Sequence, residues 1–303
     1  MTADALVQIG ARGARAVTQP SWQDRLARLR ALLGEQEAVV VAYSGGVDSS
    51  LLLRVAHEVL GPRALGVIGR SDSYSERELA LALEQAGRFG ARVEVVTTGE
   101  LSDPRFRSNP ADRCYHCKGE LYARLAEVAT RHGAKAILDG TIADDIGDWR
   151  PGRRAAAERA VRSPLAELGF TKADVRQAAA HLGLASHDKP ASPCLASRIP
   201  YGTEITREKL KMVEEGEALL RALGFRELRV RHHGDVARIE VPLAELPRLA
   251  AAGVRERVVE GLRALGFVHV AVDLAGLRSG SLNAALPGLG AAQGHGRPGQ
   301  VTP

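Results

Sequence analysis

Ser44-Gly45-Gly46-Val47-Asp48-Ser49-Ser50 lies between a continuous apolar run at 38–42 and a helical pattern at 51–60. At a strand-to-helix turn, glycines let the backbone approach an anion closely. The unpaired N–H groups of the helix's first turn, and the helix dipole, favour negative charge there. Ser44, Ser49 and Ser50 add hydroxyl donors, and Asp48 can orient a magnesium ion carried by a nucleotide. Asp48 or Ser49 could instead cap a helix after a tight turn, which is all a bare Gly-Gly pair would suggest. The full heptad in this setting favours a phosphate loop. It lacks the lysine of a Walker motif, so it is not an ordinary kinase or ATPase loop.

Three thiols form the second constellation. Cys114 and Cys117 stand three residues apart in Arg113-Cys114-Tyr115-His116-Cys117-Lys118, and Cys194 follows in a proline-flanked stretch. They can be read as reduced cysteines at a helix start, one packed and one exposed. A zinc site would need His116 or a distant fourth ligand. Three thiolates also suit a 4Fe-4S cluster whose fourth iron stays open. Spacing alone leaves these alternatives open. Asp139-Gly140-Thr141-Ile142-Ala143-Asp144-Asp145 is acidic and follows an apolar run. Its Gly140 and Asp144 are expected to meet nucleotide or magnesium, the plainer reading being a solvated turn or helix cap. Arg229 and Arg231 alternate onto one face of a strand, a geometry fit for bidentate phosphate contacts or for pairing with Glu227 or Glu240.

The elements that must position these residues follow from patterning. Apolar, β-branched runs at 38–42, 64–68, 93–97 and 136–139 read as strands buried on both faces, and helical patterns fall at 51–60, 76–89 and 120–132. That alternation implies an α/β domain with a parallel sheet, whose ligands bind beyond the carboxyl ends of the strands. Pro190, Pro193, Pro200 and Gly202 break regular structure over 186–206, an inter-domain loop that carries Cys194. An amphipathic helix at 207–223 follows, and two strands flank His233-Gly234-Asp235 as a hairpin. Helices at 243–251 and 255–265 and a strand at 267–273 complete a second, smaller α+β domain. The expected boundaries are a disordered tail at 1–20, domains at 21–185 and 207–284, and a Gly-rich disordered tail at 285–303.

The composition fits this organisation. A chain of 303 residues suits two domains and buries roughly three quarters of its unfolded surface without disulfide staples. The odd cysteine count argues against a disulfide framework. No apolar stretch reaches membrane-spanning length and no signal-type segment opens the chain, so a cytoplasmic protein without a membrane partner is expected. The net charge of +5 is modest and favours a small anionic ligand at least as much as nucleic acid.

The heptad resembles the pyrophosphate loop of the N-type ATP pyrophosphatases, which include GMP synthetase, NAD synthetase and the tRNA thiolases. That resemblance implies an adenine nucleotide hydrolase-like (PP-loop) domain that cuts ATP between its α- and β-phosphates. It also places an adenine pocket at 69–73, which holds Ser71. A narrower resemblance rests on Asn109 to Lys118, Arg150-Pro151-Gly152-Arg153-Arg154, Ser192 to Gly202 and Arg229 to Asp235. Together these look like the LarE family of pyridinium-3,5-biscarboxylic acid mononucleotide sulfurtransferases, which build the nickel-pincer cofactor of lactate racemase.

The resemblance implies that a pyridinium carboxylate is adenylylated with ATP and Mg2+, and that sulfur then replaces oxygen. One branch has only the cysteine matching Cys194 and sacrifices its sulfur. The three-cysteine branch resembles this chain and implies that Cys114, Cys117 and Cys194 hold a 4Fe-4S cluster carrying sulfide from a sulfur donor. Cys194 and Asp48 are the expected catalytic residues. Ser197, Arg198, Glu217, Arg229 and Arg231 are expected to bind substrate, with Arg198 favouring the Cys194 thiolate. A homo-oligomer is the expected assembly. The alternative is a tRNA 2-thiolation enzyme, for which the small second domain and modest charge give little support.

Overall fold

The computed structural model describes residues 20–147, 151–278 and 280–282. Helix α1 (Trp22–Gly34) starts at Ser21, whose hydroxyl and Asp24 close a reciprocal capping box. Then come β1 (Val39–Ala42), α2 (Val47–Leu60), β2 (Ala64–Arg70), α3 (Glu76–Arg88) and β3 (Arg92–Thr97). Next are α4 (Pro104–Arg107), α5 (Arg113–Arg131) and β4 (Ala136–Leu138), followed by α6 (Gly152–Glu158), α7 (Pro164–Glu167) and α8 (Lys172–His181).

All four strands run parallel in the order β3-β2-β1-β4. The chain therefore leaves β1 in one direction to build β2 and β3, and returns to its other side for β4. That reversal opens a crevice at the carboxyl ends of β1 and β4, where ligands of such sheets bind. The turns at 44–50 and 139–145 both end there. Leu26, Leu29, Leu51, Leu52, Val175 and Ala178 bury one sheet face under α1, α2 and α8. Tyr122, Leu125, Val128 and Ala155 bury the other under α5 and α6.

β1 and most of β2 are buried as their composition implies, but β3 is an edge strand with Arg92, Glu94 and Val95 exposed or half-buried. Its valines divide between the two faces, Val93 packing toward α1, α2 and α8 and Val96 toward α5 and α6, while Val95 stays exposed. α5 begins at Arg113, seven residues before the helical pattern at 120–132, which puts Cys114 and Cys117 on its first turns.

The C-terminal part has its own sheet and apolar core. α9 (Arg207–Ala222) leads into the hairpin of β5 (Arg229–His233) and β6 (Val236–Glu240), then α10 (Leu246–Ala250), α11 (Ala252–Ala264) and β7 (His269–Val272). β7 lies parallel beside β6, and Leu220, Val230, Ile239, Leu262 and Phe267 fill this core.

Between the two sheets, the Cys194 stretch is tied down with little regular structure. Leu195, Ala196, Ile199 and Ile205 pack with Phe106, Leu210 and Val213. Asn109 adopts φ 56°, a conformation asparagine tolerates better than most residues, and is fully buried. Its amide donates to the carbonyls of Ile199, Pro200 and Thr203 at 3.3, 2.7 and 3.0 Å, and its carbonyl accepts from Arg113 at 2.8 Å. The expected tail at 1–20 lies outside the described residues apart from Pro20, as does the one at 285–303.

Candidate active site

At the carboxyl end of β1 the heptad makes a tight loop. Gly45 adopts φ 66°, and a Cβ there would stand 2.6 Å from Ala82 Cβ of α3, so only glycine fits. Gly46 is the N-cap of α2 and offers no side-chain acceptor to the N–H groups of the first turn. Ser49 Oγ accepts from Ser44 N at 3.2 Å and donates to Gly46 O at 3.2 Å, which fixes the curve. Ser50, expected to donate its hydroxyl to a phosphate, is fully buried, and its N–H closes the first turn on Gly46 O. Tyr74 donates to Ser44 O at 2.9 Å, and burial pushes its phenol well up, so it remains a donor.

The turn after β4 closes the other wall. A Cβ on Gly140 would stand 2.8 Å from Ser49 N, so the absence of a side chain lets the two turns touch. Asp144 accepts the backbone N–H of Lys172 at 2.8 Å, and Asp145 accepts that of Ile142 at 3.2 Å. Each acidic side chain thus accepts a nearby backbone N–H at the carboxyl end of β4. Asp48 points from the first turn of α2 to Lys172 Nζ, which stands 2.8 and 2.7 Å from its two oxygens. Lys189 donates to Gly45 O at 3.3 Å and pairs with Glu78 at 2.7 Å. Neither lysine was singled out by sequence patterning, although Thr171 and Asp174 form a capping box that locates the start of α8.

Beyond the end of β2, Ser71 and Ser73 both donate to Glu100 Oε1, at 2.5 and 2.6 Å. Glu100 is buried and its Oε2 has no partner. Its place in a short turn left no periodic signal. Leu195 N donates to Ser73 O at 2.9 Å, so the Cys194 stretch is fastened to the same strand end. The Asn109 anchor holds that stretch against the start of α5, and so brings the three cysteines to one region. None is in a disulfide; Cys114 and Cys194 are exposed and Cys117 is half-buried. Burial, then the charges of Glu100 and Cys194 and, more weakly, Cys114, push the Cys117 thiol well up. Tyr201 also feels Cys114 and Cys194. The thiols converge, but no three His, Cys, Asp or Glu side chains among the described residues are grouped to hold a single metal ion.

The expected substrate residues lie under Cys194 and are largely paired with one another. Arg198 is buried; it bonds Glu217 at 2.8 Å and the carbonyls of Pro193 and Cys194 at 2.5 and 3.2 Å. It therefore holds the backbone of the loop. Ser197 Oγ accepts from Arg198, and Ser197 O accepts from Arg231 at 3.0 Å. Glu217 is not on a solvated helix face: it is buried between Arg198 and Arg221, with its Oε1 on Val230 N at 3.3 Å. Arg231 is buried against Glu240, and Arg238 joins the same carboxylate at 3.0 Å.

Five guanidiniums, those of Arg198, Arg221, Arg229, Arg231 and Arg238, thus share Glu217, Glu240 and Asp273, which lies 3.8 Å from Arg238. Arg229 is the least compensated, with Arg278 O at 2.9 Å and Glu240 no nearer than 3.9 Å. Burial and the charges of Arg231 and Arg198 lower its pKa. Arg150 lies outside the described residues. Arg153, Arg154 and Arg162 bond the carbonyls of Asp145 and Ile146, the Tyr115 ring and Glu167, respectively, as surface contacts.

No family model matches the chain. An uncharacterized protein of Synechocystis sp. is 44% identical over 264 residues, which make up 87% of this chain and 98% of that protein. The pyridinium-3,5-bisthiocarboxylic acid mononucleotide synthase of Lactiplantibacillus plantarum is 41% identical over 261 residues, 86% of this chain and 94% of that protein. A glutamine-hydrolyzing GMP synthase component of Archaeoglobus fulgidus is 32% identical over 202 residues, 58% of this chain and 64% of that protein.

Proposed function

The chain belongs to the LarE family, that of the pyridinium-3,5-bisthiocarboxylic acid mononucleotide synthase, and from that premise we propose that it is an ATP-dependent sulfurtransferase forming AMP and pyrophosphate. Its substrate in this reading is pyridinium-3,5-biscarboxylic acid mononucleotide, and its product a thiocarboxylate on the way to the nickel-pincer cofactor. A carboxylate oxygen attacks the α-phosphorus of ATP. The bond to the α,β-bridging oxygen breaks, and pyrophosphate leaves with its electron pair. Hydrosulfide then adds to the activated carbonyl carbon, AMP departs, and loss of a proton leaves the thiocarboxylate. Adenylylation is needed because a carboxylate oxygen is a poor leaving group.

The observation that carries this reading is the geometry at the crevice between β1 and β4. An uncapped helix start, a glycine turn and an aspartate meet where an α/β sheet binds its ligand. The backbone of 44–50 and the Ser44 and Ser49 hydroxyls hold phosphate, and Asp48 holds the magnesium that comes with ATP. Ser71 and Gly140 border the nucleotide. The two sheets with separate cores support a nucleotide domain at 21–185 and a smaller domain at 207–284. Arg229, where positive charge is least compensated, takes the phosphate of the mononucleotide, and Arg231 backs it. Ser197, Arg198 and Glu217 hold the shape of that pocket.

Cys114, Cys117 and Cys194 would hold a 4Fe-4S cluster, which is wider than a single ion and so tolerates thiolates that share no common point. When bound it supplies an open iron position able to carry sulfide. The protein residues then fasten Cys194 beside the activated carboxylate through Asn109, Ser73 and Arg198. Cysteines without disulfides suit the reducing cytoplasm.

The test is to supply anaerobically purified protein with ATP, magnesium, the mononucleotide and sulfide, and to follow products by mass spectrometry. Thiocarboxylate and AMP in equal amounts are expected, with iron and acid-labile sulfide in the protein. Turnover of ATP without the acid, or thiolation of tRNA with the mononucleotide ignored, would reject the assignment. Stoichiometric zinc without iron would reject the cluster alone.

A further inference from the structure

The buried acidic side chains among the described residues are Glu78, Glu100, Asp139, Glu217 and Glu240. A carboxylate taken out of water needs a cation or a full set of hydrogen-bond donors. Glu78 has Lys189, and Glu217 and Glu240 have the arginines. Asp139 lacks a cation, but both of its oxygens are filled. Oδ2 accepts from Tyr122 at 3.0 Å, and Oδ1 from Ser163 at 2.7 Å and Thr141 N at 3.1 Å. Glu100 differs from all the others. Its Oε1 takes the Ser71 and Ser73 hydroxyls, its Oε2 takes nothing, and no lysine or arginine among the described residues pairs with it. At 2% exposure it cannot turn to water instead.

The thiols are its neighbours. Leu101, the next residue, and Cys117 pack against the same apolar group as Leu195, which follows Cys194. Ser73 closes the link, since its hydroxyl donates to Glu100 and its carbonyl accepts from Leu195 N at 2.9 Å. The charge of Glu100 acts on the Cys117 thiol more strongly than those of Cys194, Lys118 or Cys114. Lys118 leaves that charge uncompensated, lying over the Tyr122 ring at 5.5 Å. A carboxylate and thiols gathered in one place repel one another as they ionise, so the arrangement is favourable only around positive charge.

We propose that Glu100 Oε2 is the fourth protein ligand of the iron-sulfur group, occupying the iron that the three thiolates leave open until hydrosulfide takes its place. The inference rests on the cluster reading and gives that open position a resident. A carboxylate is a hard oxygen ligand, whereas hydrosulfide is soft and better matched to iron-sulfur chemistry. Glu100 therefore keeps water from the position and yields it to the sulfur that the reaction needs. Hydrosulfide gives an electron pair to iron, the carboxylate leaves with its own, and nothing is oxidised or reduced. Oε1 stays on Ser71 and Ser73, so the displaced side chain keeps its anchor and returns once sulfur is delivered.

The experiment is electron paramagnetic resonance of the full chain, reconstituted anaerobically, reduced and titrated with hydrosulfide, for the wild type and Glu100→Gln. The amide keeps an acceptor for the two serines but is a far poorer ligand. Both proteins should hold about four irons, because the three thiolates remain. Their spectra should differ before hydrosulfide is added and coincide at saturation, where the same ligand fills the position in both. Half of the change should need roughly tenfold less hydrosulfide in the variant, the gain from removing a resident competitor. Metal-free Glu100→Gln should melt no lower than the metal-free wild type, since it lacks an uncompensated buried charge. Identical spectra before hydrosulfide, or different ones at saturation, would overturn the proposal and leave the cluster reading standing. So would loss of iron from the variant, or a lower melting temperature of its metal-free form. Either would make Glu100 a brace for Ser71 and Ser73. A wild type that takes up no iron would bring down the cluster reading and this inference with it.

Discussion

The phosphate loop and the arginine cluster beneath Cys194 both concentrate charge, but they handle it in opposite ways. At the loop, Asp48 and Lys172 form one pair with substantial exposure, above helix N–H groups that no side chain caps. In the cluster, Glu240 is fully buried and meets Arg231, Arg238 and, more distantly, Arg229, while Glu217 is shared between Arg198 and Arg221. A single exposed pair can exchange its partner for a ligand at little cost to the fold. A buried, shared carboxylate cannot be released without leaving several guanidiniums uncompensated. Exchange of a partner for a ligand is therefore easier at the loop than in the cluster. Under Cys194 most of the arginines are held by Glu217 and Glu240, and Arg229 is the least compensated of them.

The largest expected effect breaks the buried side of this contrast. Glu240→Gln leaves three arginines around an uncharged amide and should destabilise the protein by about 3–5 kcal/mol, read from urea unfolding with the slope held constant. A change below about 1 kcal/mol, the range of exposed pairs, would mean the cluster is no tighter than the loop. Asp48→Asn breaks the other side. It should slow pyrophosphate release on the order of a hundredfold, equivalent to about 2.7 kcal/mol of barrier, with unfolding unchanged. Equal losses of stability and rate would erase the distinction.

Smaller effects sharpen it. Because burial raises the Cys117 thiol, less of it is thiolate at any given pH than of an exposed cysteine. In metal-free protein near neutral pH, iodoacetamide should modify exposed Cys114 and Cys194 first, with Cys117 slower by roughly tenfold. Uniform labelling by peptide mapping would contradict the packing at the start of α5.

The smallest effect is one of pH. Burial, then nearby Lys209, lowers the pKa of His232, so the fold keeps the ring neutral. Below its ordinary value of about 6.5 the unfolded chain binds a proton that the folded one does not. Stability is thus full above that value and falls as pH drops through it, by at most about 1.4 kcal/mol per pH unit for one group. His233 is lowered too and adds to the slope. His232→Gln should flatten the profile; an unchanged slope would remove His232 as its source.

Much of the fold was legible because its signals are local. The apolar run at 38–42, the glycines after it and the break near Gly234 mark strand, turn and hairpin within a few residues each. Strand order was not legible, and with it the edge position of β3, since pairing depends on contacts far apart in the chain. The site divides in the same way. The heptad and the cysteines are contiguous or closely spaced and stood out. Lys172, Lys189, Glu100 and the carbonyls gathered by Asn109 act across long separations. The arginines at 229 and 231 were visible as an alternation that fitted phosphate contact or pairing with Glu240, and the alternation alone could not say that Arg231 takes the second.

Adenylylation of a carboxylate by the 44–50 loop leaves a mark that no other use of ATP leaves. Mononucleotide labelled with oxygen-18 in its carboxylates should be converted with ATP and sulfide, and the nucleotide product examined by mass spectrometry. One labelled oxygen in the phosphate of AMP, alongside unlabelled pyrophosphate, is the expected result. Unlabelled AMP, or ADP with orthophosphate in place of AMP and pyrophosphate, would contradict it.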